Sequence, residues 1–176
     1  MEVEYLNGRK LFVIPQFLTA EECHAFIKWS EQLGYADAPI NTSFGPLLRK
    51  DVRDNQRILL DDPELAAAWW ERAKGLLVEK WFGWKAVGLN ERFRFYRYDP
   101  GQRFAPHMDG CFERDNGEQS HFTFLVYLND GFEGGETAFH EGLHFLRVTP
   151  ERGKALVFSH RQLHEGMPVV RGRKSH

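Results

Sequence analysis

Three spacings among the eight histidines could hold a metal. The first is His107-Met108-Asp109. In a strand, residues two apart project from the same face, so an imidazole and a carboxylate would stand side by side. A second histidine from a neighbouring strand would complete a two-histidine, one-carboxylate face. That set leaves three octahedral positions open, which suits an iron(II) ion that must bind a co-substrate and dioxygen together. The tripeptide alone is a signal of low specificity. The second spacing is His140-Glu141-Gly142-Leu143-His144. On a continuous helix it would put two imidazoles on one face of a zinc ion, with Glu141 as base for the bound water. Its surroundings argue against a helix, because Gly134-Gly135 lies upstream, Gly142 inside and Thr149-Pro150 downstream. Thr137, Phe139, Phe145 and Val148 also favour a strand. The third spacing is His160 and His164, set between a strand-like run at 155–158 and Gly166. There is little room for a helix there, and His160 reads as a loop residue.

The elements that must position these groups divide the chain. Leu11–Ile14 is a short apolar run that ends at Pro15, a first strand. Thr19 and Glu22 make a capping box, Cys23, Phe26, Ile27 and Leu33 recur at helical spacing, and Gly34 stands where the helix would end. Asp62, with Pro63 and Glu64 behind it, opens a second helix. Leu65, Trp69, Ala73, Leu76 and Leu77 form its apolar stripe, and Gly83 follows its end. Both helices are expected to cover one face of a sheet. Residues 35–61 between them are polar and without clear period. They read as a loop, and their basic run at 49–57 as a candidate lid facing the substrate. From Glu91 onward short β-prone runs alternate with turn signals such as Asp99-Pro100-Gly101 and Asn129-Asp130-Gly131, the pattern of a sandwich or barrel.

Composition sets bounds. A length of 176 residues fits one domain. Lys plus Arg number 23 and Asp plus Glu 25, a formal net charge of −2. That balance gives no electrostatic case for nucleic acid or an anionic membrane as partner. No apolar run approaches the roughly 20 residues that span a bilayer. Cys23 and Cys111 are too few for a disulfide framework, and the N-terminal stretch has neither a basic segment nor an apolar core of the secretory kind. The expectation is a cytoplasmic protein.

Four blocks, in order, carry a resemblance. They are Tyr98-Asp99-Pro100-Gly101-Gln102-Arg103-Phe104-Ala105-Pro106-His107-Met108-Asp109, then Phe124-Leu125-Val126-Tyr127-Leu128-Asn129, then Gly134-Gly135-Glu136-Thr137-Ala138-Phe139. Last comes Gly153-Lys154-Ala155-Leu156-Val157-Phe158, leading to His164-Glu165-Gly166 and Arg171-Gly172-Arg173-Lys174. Over about half the chain this resembles the catalytic domain of the prolyl 4-hydroxylase-like branch of the 2-oxoglutarate- and iron(II)-dependent oxygenases.

The resemblance implies a mainly β fold with flanking α-helices, a double-stranded β-helix (jelly-roll, cupin-like). Residues 1–176 would be one dioxygenase domain, with 1–90 as helical support and 91–176 as the β-helix core. His107, Asp109 and His164 match the iron ligands. Lys174 matches the cation that pairs with the distal carboxylate of 2-oxoglutarate, and Tyr98 and Tyr127 match tyrosines near that co-substrate. The implied cofactors are Fe(2+), 2-oxoglutarate, O2 and ascorbate. The implied reaction hydroxylates an unactivated C–H with release of succinate and CO2, the substrate being a prolyl residue in a peptide or protein, or a small molecule. Asp109 favours hydroxylation over the halogenation carried out by relatives that lack this carboxylate. Two other readings stay open, a zinc metallohydrolase built on His140, Glu141 and His144, and a non-catalytic metal-binding cupin-like module.

Two points of geometry follow. Lys174 lies ten residues past His164, so in one straight strand the two would stand roughly 33 Å apart. The chain must therefore reverse between them, with Gly166, Pro168 and Arg171-Gly172 as turn residues, and Arg171 and Arg173 are rival anchors. The family also continues past this lysine with an apolar strand. Here the sequence ends at His176, so either it is a piece of a longer chain or another segment takes that strand's place.

Overall fold

A computed structural model describes residues 2–42, 45–142 and 144–176; for 41, 42 and 144 it describes the backbone alone. Two four-stranded antiparallel sheets form the jelly-roll. One runs in the order Glu4–Tyr5, Leu11–Ile14, Ala155–Ser159, Phe122–Val126. The other runs Phe104–His107, His164–Gly166, Thr137–Glu141, His144–Val148. Strand alternation decides what each residue covers. Leu11, Val13, Leu156 and Phe158 point between the two sheets, where they meet Phe139, Val148 and Tyr127. Phe12, Ile14, Ala155 and Val157 point the other way, into a second core shared with the helices. Both faces being covered, Leu11–Ile14 and Ala155–Ser159 are buried at every position.

Helix α1 (Ala20–Leu33) starts at the expected capping box. The Thr19 amide donates to Glu22 at 2.8 Å, and the Glu22 amide donates to Thr19 at 3.1 Å. It stops at Gly34, whose φ of 82° suits a residue without Cβ. Helix α2 (Pro63–Ala73) starts at Asp62 as expected but ends earlier than its apolar stripe. Gly75 is a weak helix former, and the Leu76 amide turns back to Ala73 at 2.7 Å. Leu76 and Leu77 still pack on the core, from a turn rather than from the helix.

The segment 35–61 is more ordered than its polarity predicts. Gln56–Asp61 is a strand that pairs along its whole length with Arg92–Tyr98, in a third sheet ordered Lys174–Ser175, Arg92–Tyr98, Gln56–Asp61, Ala36–Asp37. Ile58 and Leu60 face the core while Arg57, Leu59 and Asp61 face away. That two-residue period is real, but three of its six residues are charged or amide-bearing. The first ninety residues thus supply strands to two of the four-stranded sheets and form two short two-stranded sheets, as well as both helices. Ser43 and Phe44 lie outside the described residues.

The stretch offered as a zinc site is a β-hairpin. Thr137–Glu141 pairs with His144–Val148, with Glu141 opposite His144. Gly142 in the turn has φ 59°, and Leu143 lies outside the described residues. No helix carries the motif. The Glu141 carboxylate pairs with Lys10 at 2.8 Å and accepts from Asn7, while the His140 ring bonds to Glu165 at 2.9 Å. The local glycines and β-formers decided this against the letters of the motif.

Candidate metal centre and its cavity

His107 and His164 are direct cross-strand partners, with ring centres 4.3 Å apart. The strand ends at His107, after a register shift that follows Phe104. Asp109 therefore lies just past the strand rather than within it, yet its carboxylate still comes to the same place. Its oxygens are 3.6 Å from Nε2 of His107 and 3.8 Å from Nε2 of His164. One donor atom from each of the three residues falls within 4.8 Å of the others, the sole such cluster among the described residues.

The surroundings fix which atoms are free to bind. Nδ1 of His107 meets the Ala105 carbonyl at 2.8 Å, and Nδ1 of His164 meets the Gln162 carbonyl at 2.9 Å. A carbonyl can only accept, so Nδ1 carries the proton in both rings and Nε2 offers its lone pair to the shared centre. Thr123 donates from its hydroxyl to Asp109 Oδ2. Phe104 stacks on His107 at 3.6 Å, and the Phe158 ring sets its edge against His164. Burial alone would raise the Asp109 carboxyl; bonds and charge from His107, His164 and Thr123 outweigh it and hold the group well below the usual carboxylate range. Burial, opposed in part by Asp109, lowers His164 to about 4, so its imidazole is neutral at physiological pH. Two imidazoles and one carboxylate are a donor set that fits iron(II).

These residues open into a cavity of about 980 Å³ that Tyr98, Thr137, Lys174 and Arg53 also line. Lys174 is 2% exposed, pairs with Tyr98 in the third sheet, and donates to the Gly135 carbonyl at 2.8 Å. No carboxylate is within salt-bridge distance of it among the described residues. Burial, offset only in part by Glu136, lowers its ammonium to about 7. An unpaired buried cation is costly, and a ligand carboxylate at this point would relieve the cost. The rival cations are engaged elsewhere, Arg171 with Glu133 and Arg173 with Asp99, both exposed. The reversal between His164 and Lys174 is achieved by Val169–Arg171, paired with Glu133–Gly134, and by Gly172 at φ 85°.

Tyr98 lines the cavity, while Tyr127 stands behind it and bonds to the Thr137 hydroxyl at 2.7 Å. Burial raises the phenol pKa of both. Tyr127 reaches the cavity only through Thr137. His160 sits in the turn after Ala155–Ser159, as expected, though it too lines the cavity. Sequence reasoning did not single out Thr123, Thr137 or Arg53. Thr137 stood within the quoted G-G-E-T-x-F block, and Arg53 within the basic run at 49–57, so both had a signal.

Comparison with known proteins agrees with this geometry. Residues 93–176 match the 2OG-Fe(II) oxygenase superfamily. Prolyl 4-hydroxylase 13 of Arabidopsis thaliana is 30% identical over 197 residues, covering 94% of this chain and 68% of the relative. The chain belongs to the prolyl 4-hydroxylase-like 2-oxoglutarate/iron(II) oxygenases. A second relative in this family, the probable prolyl 4-hydroxylase 3 of the same plant, is 28% identical over 210 residues. The chain spans just under two-thirds of that relative's length, 66%, with 94% of its own residues aligned. In structure, a prolyl hydroxylase from Trichoplax adhaerens, solved with a hypoxia inducible factor peptide fragment, superposes with a TM-score of 0.71 at 18% identity. That alignment covers 97% of this chain and 82% of the other, and it establishes the oxygenase fold.

Proposed function

We propose that this oxygenase hydroxylates an unactivated C–H bond, a prolyl residue of a peptide or protein, with release of succinate and CO2. The observation that carries the reading is one cavity holding both His107, Asp109 and His164 and a buried ammonium, Lys174, that has no acidic partner among the described residues. Iron(II), 2-oxoglutarate and dioxygen, when bound together, supply the oxidising power for such a reaction.

The chain's own residues prepare the centre. The Ala105 and Gln162 carbonyls hold both imidazoles in the tautomer that presents Nε2. Thr123 orients Asp109, whose negative charge would partly neutralise a cation held there. Lys174 supplies the positive charge for a dianionic keto acid, over the faces of Tyr98 and Tyr127. Phe104, Phe139 and Phe158 pack round the two histidines and keep bulk water from them. The peptide substrate is supported by the relative solved with a peptide. We place ascorbate in the same reading, as a reductant that the family resemblance implies.

The test is an anaerobic titration of the purified chain with iron(II) and 2-oxoglutarate, watching for the weak visible charge-transfer band of the chelate. The band should appear, and His107→Ala should abolish it. Peptide pools containing proline, screened for a mass gain of one oxygen, then address the substrate. No band under any condition would leave the non-catalytic metal-binding module as the better reading.

A further inference from the structure

The wall of the cavity carries more positive charge than its ion pairs among the described residues neutralise. Arg53, Arg57, Lys85, Arg92, Arg94 and Lys174 line it, and Asp109 is the single acid among its lining residues. Lys174 is assigned above to the co-substrate, and Arg92 pairs with Asp61 at 2.7 Å. Arg53, Arg57 and Arg94 have no carboxylate within salt-bridge distance among the described residues. The chain as a whole is slightly acidic, with a net charge of −2, so this is a local concentration of charge.

The fold explains why these arginines share a wall. Arg57 stands opposite Tyr96, and Leu59 opposite Arg94, in the ladder between Gln56–Asp61 and Arg92–Tyr98. Cross-strand partners share a face, and so do residues two apart. Arg57, Arg94, Tyr96 and Tyr98 therefore face one side, and Ile58, Phe93 and Phe95 back onto the helices. Arg53 bridges to Phe104 through the backbone, and its guanidinium lies 4.2 Å from the Phe104 ring and 4.5 Å from the Tyr96 ring. Phe104 in turn stacks on His107, so Arg53 is one ring away from the metal centre. Its Nε donates to Asn55 at 2.7 Å, but Nη2 is buried with no partner, and the residue is only 6% exposed. Burial lowers Arg57 from its ordinary value, and the like charges of Arg53 and Arg94 add to that. A buried guanidinium with an open donor, beside two more unpaired cations, is a built receptor for an anion.

We propose that Arg53, Arg57 and Arg94 receive a carboxylate of the primary substrate, so that the enzyme acts on a carbon close to an acidic group. This rests on the reading that the adjoining centre is catalytic. The carboxylate has two sources, an acidic side chain flanking the target residue of a peptide or the main-chain carboxylate of a free amino acid.

Trp81 and Trp84 line the same cavity, so ligand binding can be read by tryptophan fluorescence in the metal-free and the loaded protein alike. The probes are matched blocked tripeptides, acetyl-Glu-Pro-Ala-amide and acetyl-Gln-Pro-Ala-amide, together with proline and prolinamide. The acidic member of one pair should bind about tenfold more tightly than its neutral partner at low salt. Which pair shows it identifies the source of the carboxylate. The preference should shrink as ionic strength rises. Arg57→Gln and Arg94→Gln, at positions that are not fully buried, should each reduce it by at least threefold. Equal binding within both pairs overturns the proposal. So does an Arg53→Gln protein that keeps the preference while needing more 2-oxoglutarate for the visible band, since that would assign Arg53 to the co-substrate. A missing band with the preference intact would instead count against the catalytic reading and leave an anion receptor.

Discussion

Lys174 stands directly opposite Tyr98 in an antiparallel ladder, and its ammonium lies 5.2 Å from the Tyr98 ring centre and 5.5 Å from that of Tyr127. Its ammonium donates to a neutral carbonyl, that of Gly135. The protein therefore buries an ammonium that meets no carboxylate among the described residues.

This sets a pH dependence. Burial lowers Lys174 from an ordinary 10.5 to about 7 in the folded chain. Between those values the unfolded chain binds a proton that the folded chain does not, so the ligand-free protein gains stability as pH rises from about 7 to about 10.5. A bound dianion favours the charged form, so affinity for 2-oxoglutarate should fall by up to roughly tenfold per pH unit above about 7. Melting curves and co-substrate titrations between pH 6.5 and 9 should move in these opposite directions; a co-substrate affinity that is flat over that range would exclude the lysine as anchor.

Lys174→Met separates stability from function. Replacing an unpaired buried ammonium by an apolar side chain of similar length should raise the melting temperature of the ligand-free protein by roughly 3–10 °C. The same change should eliminate the 2-oxoglutarate-dependent visible band. A variant both less stable and still able to form the band would contradict this account.

Thr123→Val removes the hydroxyl that holds Asp109 while keeping the shape of the side chain. Iron(II) affinity should drop about 10–100-fold, and Thr123→Ser should recover most of it. Competition with a chelating dye measures both.

Glu141→Gln distinguishes the hairpin from a zinc site. Glu141 is bound to Lys10 and Asn7, apart from the cluster of His107, Asp109 and His164. Iron binding should be unchanged, and stability should fall by no more than about 1 kcal/mol, because the ion pair is partly exposed. Loss of metal binding in this variant would revive the hydrolase reading.

Gly135→Ala tests the backbone beneath the lysine. Gly135 has φ 70°, and a Cβ there would meet Phe132 at 3.0 Å and both Lys174 and Val169 at 3.2 Å. A stability loss of roughly 1–3 kcal/mol is expected from the left-handed backbone and overpacking together. Half-saturation by 2-oxoglutarate should also move upward, because Cδ of Lys174 must shift.

Much of the site was legible because its chemistry is local. The Thr19–Glu22 capping box and Asp62-Pro63 marked both helix starts from neighbouring side chains alone. His107 and Asp109 were legible as a pair because two residues keep side chains close, although the strand ends at His107 and Asp109 lies past it. Joining them to His164 required the resemblance, because cross-strand partners separated by a long stretch of sequence leave no periodic trace. The strand Gln56–Asp61 was hidden by its polar residues: Arg57 lines the cavity, while Asp61 faces solvent and pairs with Arg92. Thr123 was silent, since a threonine in a strand is ordinary until a carboxylate is found beside it.

Leu11–Ile14 pairs along its length with Ala155–Ser159. Cutting the chain down to the part that carries all three candidate ligands would strip that neighbour away. It would leave a largely apolar ribbon with a row of open amides and carbonyls, a template for intermolecular pairing. A fragment holding only the three candidate ligands is therefore expected to be insoluble, with the amino-terminal strand covering the edge that would otherwise pair between molecules.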